Sequence, residues 1–535
     1  MADMDRRKLL AGAALSGIAL GASSLADEET AAAAAGAAPP SDPPFGPVTV
    51  APGDRRYDSF RTAFNTRFVG SPGAVAILDD PGQAAVVLAG TAGRKVAVRG
   101  GGHCLENFTA TPDVDLLIDL SELNDVYFDD KLGAFAVEAG ATLGEVYATL
   151  FKGWEVTLPG GSCPDVGVGG HLAGGGWGFL SRRYGLACDH VYAVEVTVVD
   201  ASGRPRTVVA TREPDDPDRD LWWAHTGGGG GNFGVVTRYW LRSAGPAAAN
   251  PGVLLPRAPR AMRRRIRMWS WDTMTREAFT RLFHNHADWF AQNSAPGSPA
   301  ATIWGSLFVG HRSAGTLGFV AGIDDDVPGA ARLLEAHLSA VSAGVGIAPV
   351  LETTEELPWL DPANWVVEPA GRQKVKNADL AQGFTDAQIA ALWKHLGSTD
   401  YHNPLALLSL TGCGGEINRP APAATASAGR DVLLRAYFTT GNYTDADDGN
   451  LTWIRTMYRD VFAATGGVPV PNGRSAGTYI NYPDVDLADP AWNTSGVPWS
   501  ALYYRDNYAR LRQVKRRYDP GNLFRHALSI EVGAR

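Results

Sequence analysis

Reactive side chains sit in unusually glycine-rich backbone here: the thiol of Cys163 and the imidazoles of His103 and His171. Cys163 and His171 belong to the stretch 157–180, TLPGGSCPDVGVGGHLAGGGWGFL, in which nine of 24 residues are glycine. A flexible linker of that glycine content is filled out with Ser and charged residues. This one is filled out with Val, Leu, Trp and Phe, which describes a buried, tightly turned backbone lying against something flat or anionic. Glycine permits positive φ and close backbone approach, and the freed N–H groups can face phosphate or carbonyl oxygens. The plainer alternative is a glycine-rich turn between strands. Cys104, Cys163, Cys188 and Cys413 form no CxxC metal pattern and are too few and scattered for a disulfide framework, which leaves the Cys163 thiol free for other work.

Two more glycine runs repeat the pattern. Residues 94–99 read as a strand that ends at Arg99 and runs into Gly100-Gly101-Gly102-His103. A turn of this kind can cradle phosphate with its N–H groups. It is not the G-x-G-x-x-G fingerprint, because no helix opens on it, and His103 taken alone reads as a turn histidine. Residues 227–231 are five consecutive glycines between an aromatic-rich helical segment and a strand beginning near Val235. Three such loops predict one long phosphate-bearing ligand threaded through a single domain.

The elements that must position these loops follow an α/β pattern from about residue 54. Strands are expected at 74–78, 94–99, 114–120, 134–138 and 191–200, with helices at 81–93 and 143–151. From 245 to 478 the pattern changes to strands at 302–309, 405–411 and 433–439 and helices at 277–292, 327–341, 386–396 and 450–462. That combination predicts an α+β unit with a large antiparallel sheet, able to roof a ligand and supply a substrate pocket. The arginines of 260–267 read as a solvated strand face, and 414–430 as an exposed loop at the pocket mouth.

At 535 residues the chain is too long for one core, so two large domains are expected. A net charge of −9 implies no general affinity for nucleic acid or anionic membrane. None of the eleven histidines forms the His-x-x-x-His pair of a metal hydrolase. Arg6 and Arg7 precede a short apolar run to about Ala22, the pattern of a twin-arginine export signal, with a disordered basic tail as the alternative. That route carries folded cargo and suits export of an enzyme loaded with its cofactor in the cytoplasm.

The motifs carry a resemblance. Arg99-x-Gly-Gly-His103, Gly-Gly-Ser-Cys163-Pro-x-Val166-Gly-x-Gly-Gly-His171 and the glycine run ending in Asn232-Phe-Gly resemble the berberine-bridge-enzyme branch of the FAD-linked oxidases. Tyr479-Ile-Asn481-Tyr482-Pro-Asp484 and Tyr518-Asp519-Pro520 near the C-terminus agree, so the likeness spans roughly residues 50–530. Within that branch the chain is most similar to actinomycete antibiotic-tailoring oxidases. The resemblance implies a two-domain vanillyl-alcohol-oxidase-type fold, α+β overall. Its parts would be a signal and linker at 1–45, an FAD-binding domain at 46–245 and a substrate domain at 246–485. A C-terminal segment at 486–535 would return to the FAD domain. It also implies a bicovalent flavin, with His103 bonded to the 8α-methyl carbon and Cys163 to C6. Imidazole and thiolate are residue types able to attack such a ring. The cofactor contacts it assigns are Arg99, Gly100, Gly101, Gly102, Val166, Gly167, Gly169, Gly170, His171, Gly231, Asn232, Val236, Tyr479 and Asn481.

Alcohol oxidation needs a base for the hydroxyl proton as hydride leaves carbon. By resemblance a tyrosine from a strand crossing the flavin serves, Tyr482 with Tyr479 assisting. Their spacing puts them on opposite faces of a regular strand, so a bulge is required. A neighbouring positive charge or a shared proton must also lower a phenol pKa that is ordinarily near 10. Three residues depart from the family: Leu105 replaces an aromatic, Trp177 replaces Phe or Tyr, and Cys413 falls where a tailoring relative carries an assisting tyrosine. In the family it resembles, a small residue at the place of Val166 goes with oxygen access. The expectation is an oxidase that converts an alcohol of a small natural product to a carbonyl and O2 to H2O2. The alternatives are anomeric oxidation to a lactone, oxidative ring closure, and a binding protein that keeps FAD without turnover.

Overall fold

Three sheets organise the chain, and each strand's burial explains why it forms. The computed structural model describes residues 47–91, 93–245, 249–444 and 446–533; the expected export signal lies outside them. The first sheet contains β1 (Val48–Val50), β2 (Val75–Ile77), β3 (Val96–Arg99) and β4 (Leu116–Asp119) in the order β1-β2-β4-β3. β2, β4 and β3 run parallel and β1 antiparallel. The parallel strands are short apolar runs, as sheets covered on both faces require. The second sheet is antiparallel: β5 (Val126–Asp129), β6 (Ala134–Glu138), β7 (Val191–Val199), β8 (Pro205–Thr211) and β9 (Val235–Leu241), ordered β5-β6-β9-β7-β8.

The third sheet has eight antiparallel strands, the large sheet expected from the middle of the chain. They are β10 (Ala261–Ser270), β11 (Trp304–Gly310), β12 (Thr316–Asp324), β13 (Leu351–Pro358), β14 (Val375–Leu380), β15 (Leu407–Gly412), β16 (Leu434–Thr439) and β17 (Ser475–Gly477). Their order is β13-β10-β12-β11-β15-β16-β14-β17. The helices Arg276–Gln292, Ala330–Ser342, Asp386–Leu396 and Asp447–Val461 supply buried Phe, Leu, Trp and Tyr to a core shared with the sheet. Alternation along the strands turns the other face, including Ser306, Ser409 and Tyr437, toward a cavity. β12, β13 and β14 were not read from the sequence. β14, Val-Lys-Asn-Ala-Asp-Leu, is buried throughout although three of its residues are strongly polar, because each of those finds a partner.

Two expectations are corrected. The arginines of β10 are not a solvated face. Arg264 is 5% exposed and paired to Glu355, while Arg263 reaches Glu356 at 2.7 Å and Arg267 reaches Glu352. This ladder fastens the edge strand β13, whose Glu and Thr residues alternate outward and protect the edge from pairing with another chain. Nor is 414–430 exposed throughout. Residues 421–424 are exposed, but Arg430 is buried against Asp189 at 2.6 Å, and the Ser427 N–H donates to the Thr226 carbonyl at 3.2 Å.

The C-terminal residues pack back on the first two sheets. Phe524 bridges to Val96, the Ile530 N–H donates to Asn232 Oδ1 at 2.9 Å, and Lys515 Nζ donates to the Asn232 carbonyl at 2.6 Å. No helix among the described residues is long and apolar enough to cross a membrane.

Candidate active site

The cofactor and catalytic residues assigned from the sequence all line one cavity of about 430 Å³ between the glycine loops and the face of the third sheet. The loops come that close only because they lack side chains. A Cβ on Gly101 would lie 2.4 Å from the Gly167 nitrogen, and one on Gly227 would lie 2.1 Å from the Ser427 nitrogen. A Cβ on Gly170, by contrast, would meet nothing within 4 Å and would project into open space. The N–H groups of Gly100, Gly101, Gly102, Gly230 and Gly231 find no acceptor among the described residues. A cradle of free N–H groups with room beside it fits the phosphates of a dinucleotide.

Within this group the polar side chains do two kinds of work. Some shape the loops. Arg99 is spent on Asp119 (2.7 Å) and the Phe60 carbonyl, and His171 Nε2 accepts from the Gly161 N–H at 3.0 Å. Burial holds His171 at about 4, neutral and able to accept. Asn232 donates to the carbonyls of Gly228 and Gly229, both at 3.2 Å, and so winds the five-glycine run from inside. Asn481 ties the His171 carbonyl (2.9 Å) to Tyr479 Oη (3.0 Å).

Others present reactive atoms. Burial pushes the His103 imidazole down to about 4, with Asp165 opposing, so its ring is neutral near pH 7. Phe64 stacks on that ring with centroids 3.7 Å apart, the aromatic contact that Leu105 does not make. Leu105 instead packs with Phe64, Val375, Tyr437 and Tyr482. Burial pushes the Cys163 thiol well up, and Glu368 and Asp165 push it further. Cys163 is thus a thiol until something takes its proton.

The tyrosine pair corrects the expected strand. β17 ends at Gly477, and Tyr479–Tyr482 closes a turn in which the Tyr482 N–H donates to the Tyr479 carbonyl at 2.9 Å. No bulge is needed: the turn brings both phenols to the cavity. Tyr479 Oη accepts from the Gly176 N–H at 2.8 Å, and the Arg435 guanidinium lies 4.0 Å from its ring centroid. Trp177 lines the cavity with Tyr482. The expected cation is therefore present, yet burial outweighs it and pushes both phenols above their ordinary value. Arg435 is itself held by Asp379 through two bonds of 2.7 and 2.8 Å.

Four features escaped the sequence reading. Arg435, Tyr437 and Thr439 share the cavity face of β16, and alternation within a strand already read at 433–439 could have found them. Ser306, Ser409 and Thr411 make a hydroxyl ladder with bonds of 2.8 and 2.9 Å. Arg182, buried, donates to the carbonyls of Ile303, Asn293 and Cys413. Glu368 has no periodic signal at all. Cys413 does not face the cavity; its side chain packs with Leu186, Cys188, Ile417, Val432 and Ala476.

A cradle of free glycine N–H groups facing the third sheet and a turn that carries two phenols fits an FAD-binding oxidoreductase. Family models agree: residues 79–208 match an FAD binding domain and residues 478–531 match the berberine and berberine-like family. Aclacinomycin-N/aclacinomycin-A oxidase of Streptomyces galilaeus is 49% identical over 484 residues, 89% of this chain and 88% of its own. Hexose oxidase of Chondrus crispus is 31% identical, covering 89% and 93%. Among solved structures, a glycopeptide hexose oxidase complexed with teicoplanin superposes with a TM-score of 0.87 at 46% identity, covering 91% of this chain and 99% of that one. The chain belongs to the berberine-bridge-enzyme-like family of FAD-linked oxidases.

Proposed function

We propose that the chain holds FAD through bonds from both His103 and Cys163. It oxidises an alcohol of a small natural product, a secondary, allylic or sugar hydroxyl, to a carbonyl, with O2 reduced to H2O2. The observation that carries this reading is the convergence of His103 and Cys163, from two separate glycine loops, on the cavity that also receives Tyr479 and Tyr482. The names of the relatives, an aclacinomycin oxidase and hexose oxidases, point to glycosylated or sugar substrates.

Bound FAD supplies the hydride acceptor and the electron donor to O2. The free N–H groups of Gly100, Gly101, Gly102, Gly230 and Gly231 would hold its phosphates. Tyr482 takes the hydroxyl proton, with the Tyr437 ring packed beside it. Tyr479, gripped by Gly176, Asn481 and Arg435, positions the turn from the other side. Ser306, Ser409 and Thr411 offer hydroxyls to a sugar. Trp304 and Phe179, stacked 4.4 Å apart, wall the same cavity with aromatic surface. That hydroxyl ladder also supports a second reading, oxidation of an anomeric hydroxyl to a lactone.

Peroxide production over a panel of glycosides, free hexoses and allylic alcohols tests the reading. Turnover of glycosides or allylic alcohols supports it, turnover of hexoses alone favours the lactone route, and no turnover of any alcohol overturns both.

A further inference from the structure

A proton removed from substrate needs somewhere to go, and the two tyrosines cannot keep it. Both are neutral phenols, so Tyr482 can accept a proton only by giving up its own. The cavity offers one destination. Glu368 is the single carboxylate that lines it among the described residues, and its side chain has no hydrogen bond or ion pair there. Asp165, whose charge acts on His103 and Cys163, does not line the cavity, Asp379 is committed to Arg435, and Glu106, Asp484 and Asp486 are committed to Lys374 and Lys376.

Glu368 is held in place by backbone. The Val366 N–H donates to the Ser162 carbonyl at 3.0 Å, beside Cys163. Five residues on, the Gly371 N–H donates to the Phe64 carbonyl at 3.0 Å, and Phe64 is the ring stacked on His103. Asn442 Nδ2 donates to the Pro369 carbonyl at 2.8 Å. Residues 366–371 are thus a strap between the Cys163 loop and the segment that backs His103, and Glu368 on it lines the cavity. Tyr437 lies beside the base, its ring centroid 4.8 Å from that of Tyr482; burial raises its phenol and the Glu368 charge raises it further. The packed walls around it raise the Glu368 carboxyl even though its side chain is open to the cavity space.

We propose that Glu368 is the proton store of the reaction, reached from Tyr482 across Tyr437 and cavity water. The inference rests on the oxidase reading above. As the alcohol C–H bond breaks and hydride passes to FAD, the O–H proton passes to Tyr482. The Tyr482 proton moves to Tyr437 and the Tyr437 proton to the Glu368 carboxylate, leaving a carbonyl and a neutral carboxylic acid. When O2 takes the two electrons and the hydride's hydrogen, the Glu368 proton completes H2O2 and the carboxylate is restored. Glu368 touches neither reacting carbon nor hydroxyl, so it acts as a positioning residue for the proton.

The test compares wild type, Glu368→Gln and Glu368→Asp as holoenzymes reduced anaerobically by an alcohol active in the peroxide panel. The infrared difference spectrum between reduced and oxidised wild type should show a new carboxylic-acid carbonyl band, absent from Glu368→Gln. Flavin reduction should slow about 100-fold in Glu368→Gln and largely recover in Glu368→Asp. Affinity for the carbonyl product, read from the oxidised flavin spectrum, should not change. Persistence of the band in Glu368→Gln, or an unchanged reduction rate, overturns the proposal while leaving the oxidase reading intact. Loss of flavin from both variants assigns Glu368 to cofactor attachment and overturns it too. A wild-type flavin that no alcohol reduces removes the oxidase reading and this proposal together.

Discussion

The Tyr482 N–H donates to the Tyr479 carbonyl at 2.9 Å, and this one bond sets how the two phenols meet, with centroids 5.4 Å apart and planes at 84°. Tyr479 Oη is spent accepting from Gly176 and Asn481, whereas Tyr482 faces Tyr437. Tyr482→Phe should therefore slow flavin reduction by about 10²–10⁴ with flavin content unchanged. Tyr479→Phe should cost less and act through a loosened loop. Anaerobic stopped-flow reduction of each variant checks this; equal rates in wild type and Tyr482→Phe would remove Tyr482 as the base.

The glycines separate cofactor space from packing space. Gly170→Ala meets no protein atom within 4 Å, so its apoprotein should melt with wild type while FAD incorporation falls. Gly101→Ala drives a methyl into the Gly167 backbone at 2.4 Å and should lower the melting temperature as well. Calorimetry beside flavin absorbance distinguishes the two; normal FAD content in Gly170→Ala would place the phosphates elsewhere.

One buried ion network pins both halves of the site. Lys374 contacts Glu106, three residues past His103, and Asp484, two past Tyr482, at 2.8 Å; Lys376 contacts Asp484 at 2.7 Å and Asp486 at 2.8 Å. Removing one member of such a cluster leaves an uncompensated buried charge, worth about 3–5 kcal/mol. Lys374→Met should lose that much in denaturant unfolding. A loss below about 1 kcal/mol, the scale of an exposed pair, would show the cluster to be solvated.

Several histidines are buried neutral: burial holds His225 at about 4 and His286 at about 3, against an unfolded value of 6.5. Below pH 6.5 the unfolded chain binds protons that the folded chain refuses, so stability is full above 6.5 and falls as pH drops toward 4. The midpoint of chemical unfolding should decline across that window. A flat profile from 7 to 4 would contradict the buried neutral assignment.

The arginine pair Arg6-Arg7 is proposed as the export signal. Replacing both with lysine should retain the protein, with flavin bound, inside the cell; undiminished export would dismiss that role.

How much of this was legible beforehand follows from physical signal. The glycine loops declared themselves because only close backbone packing explains glycine beside Trp, Val and Leu. The helix 386–396 was readable from its Thr385 cap and apolar period. β14 was not, since Lys376 and Asp379 look like surface until the distant Asp484 and Arg435 are known. The turn at Tyr479–Tyr482 was read as a strand because nothing local marks it; it is imposed by Asn377, which accepts from the Tyr479 N–H at 2.8 Å. Glu368 was invisible for the same reason: its meaning lies in a strap fastened to residues some 200 and 300 positions away.

The most direct test of the central claim is the visible spectrum of acid-precipitated, washed and redissolved protein, for wild type, His103→Ala, Cys163→Ala and the double variant. Two covalent bonds predict flavin absorbance that stays with wild type and with either single variant and washes out of the double variant. Flavin that washes out of wild type would contradict covalent attachment, and flavin retained by the double variant would place the bond on another residue.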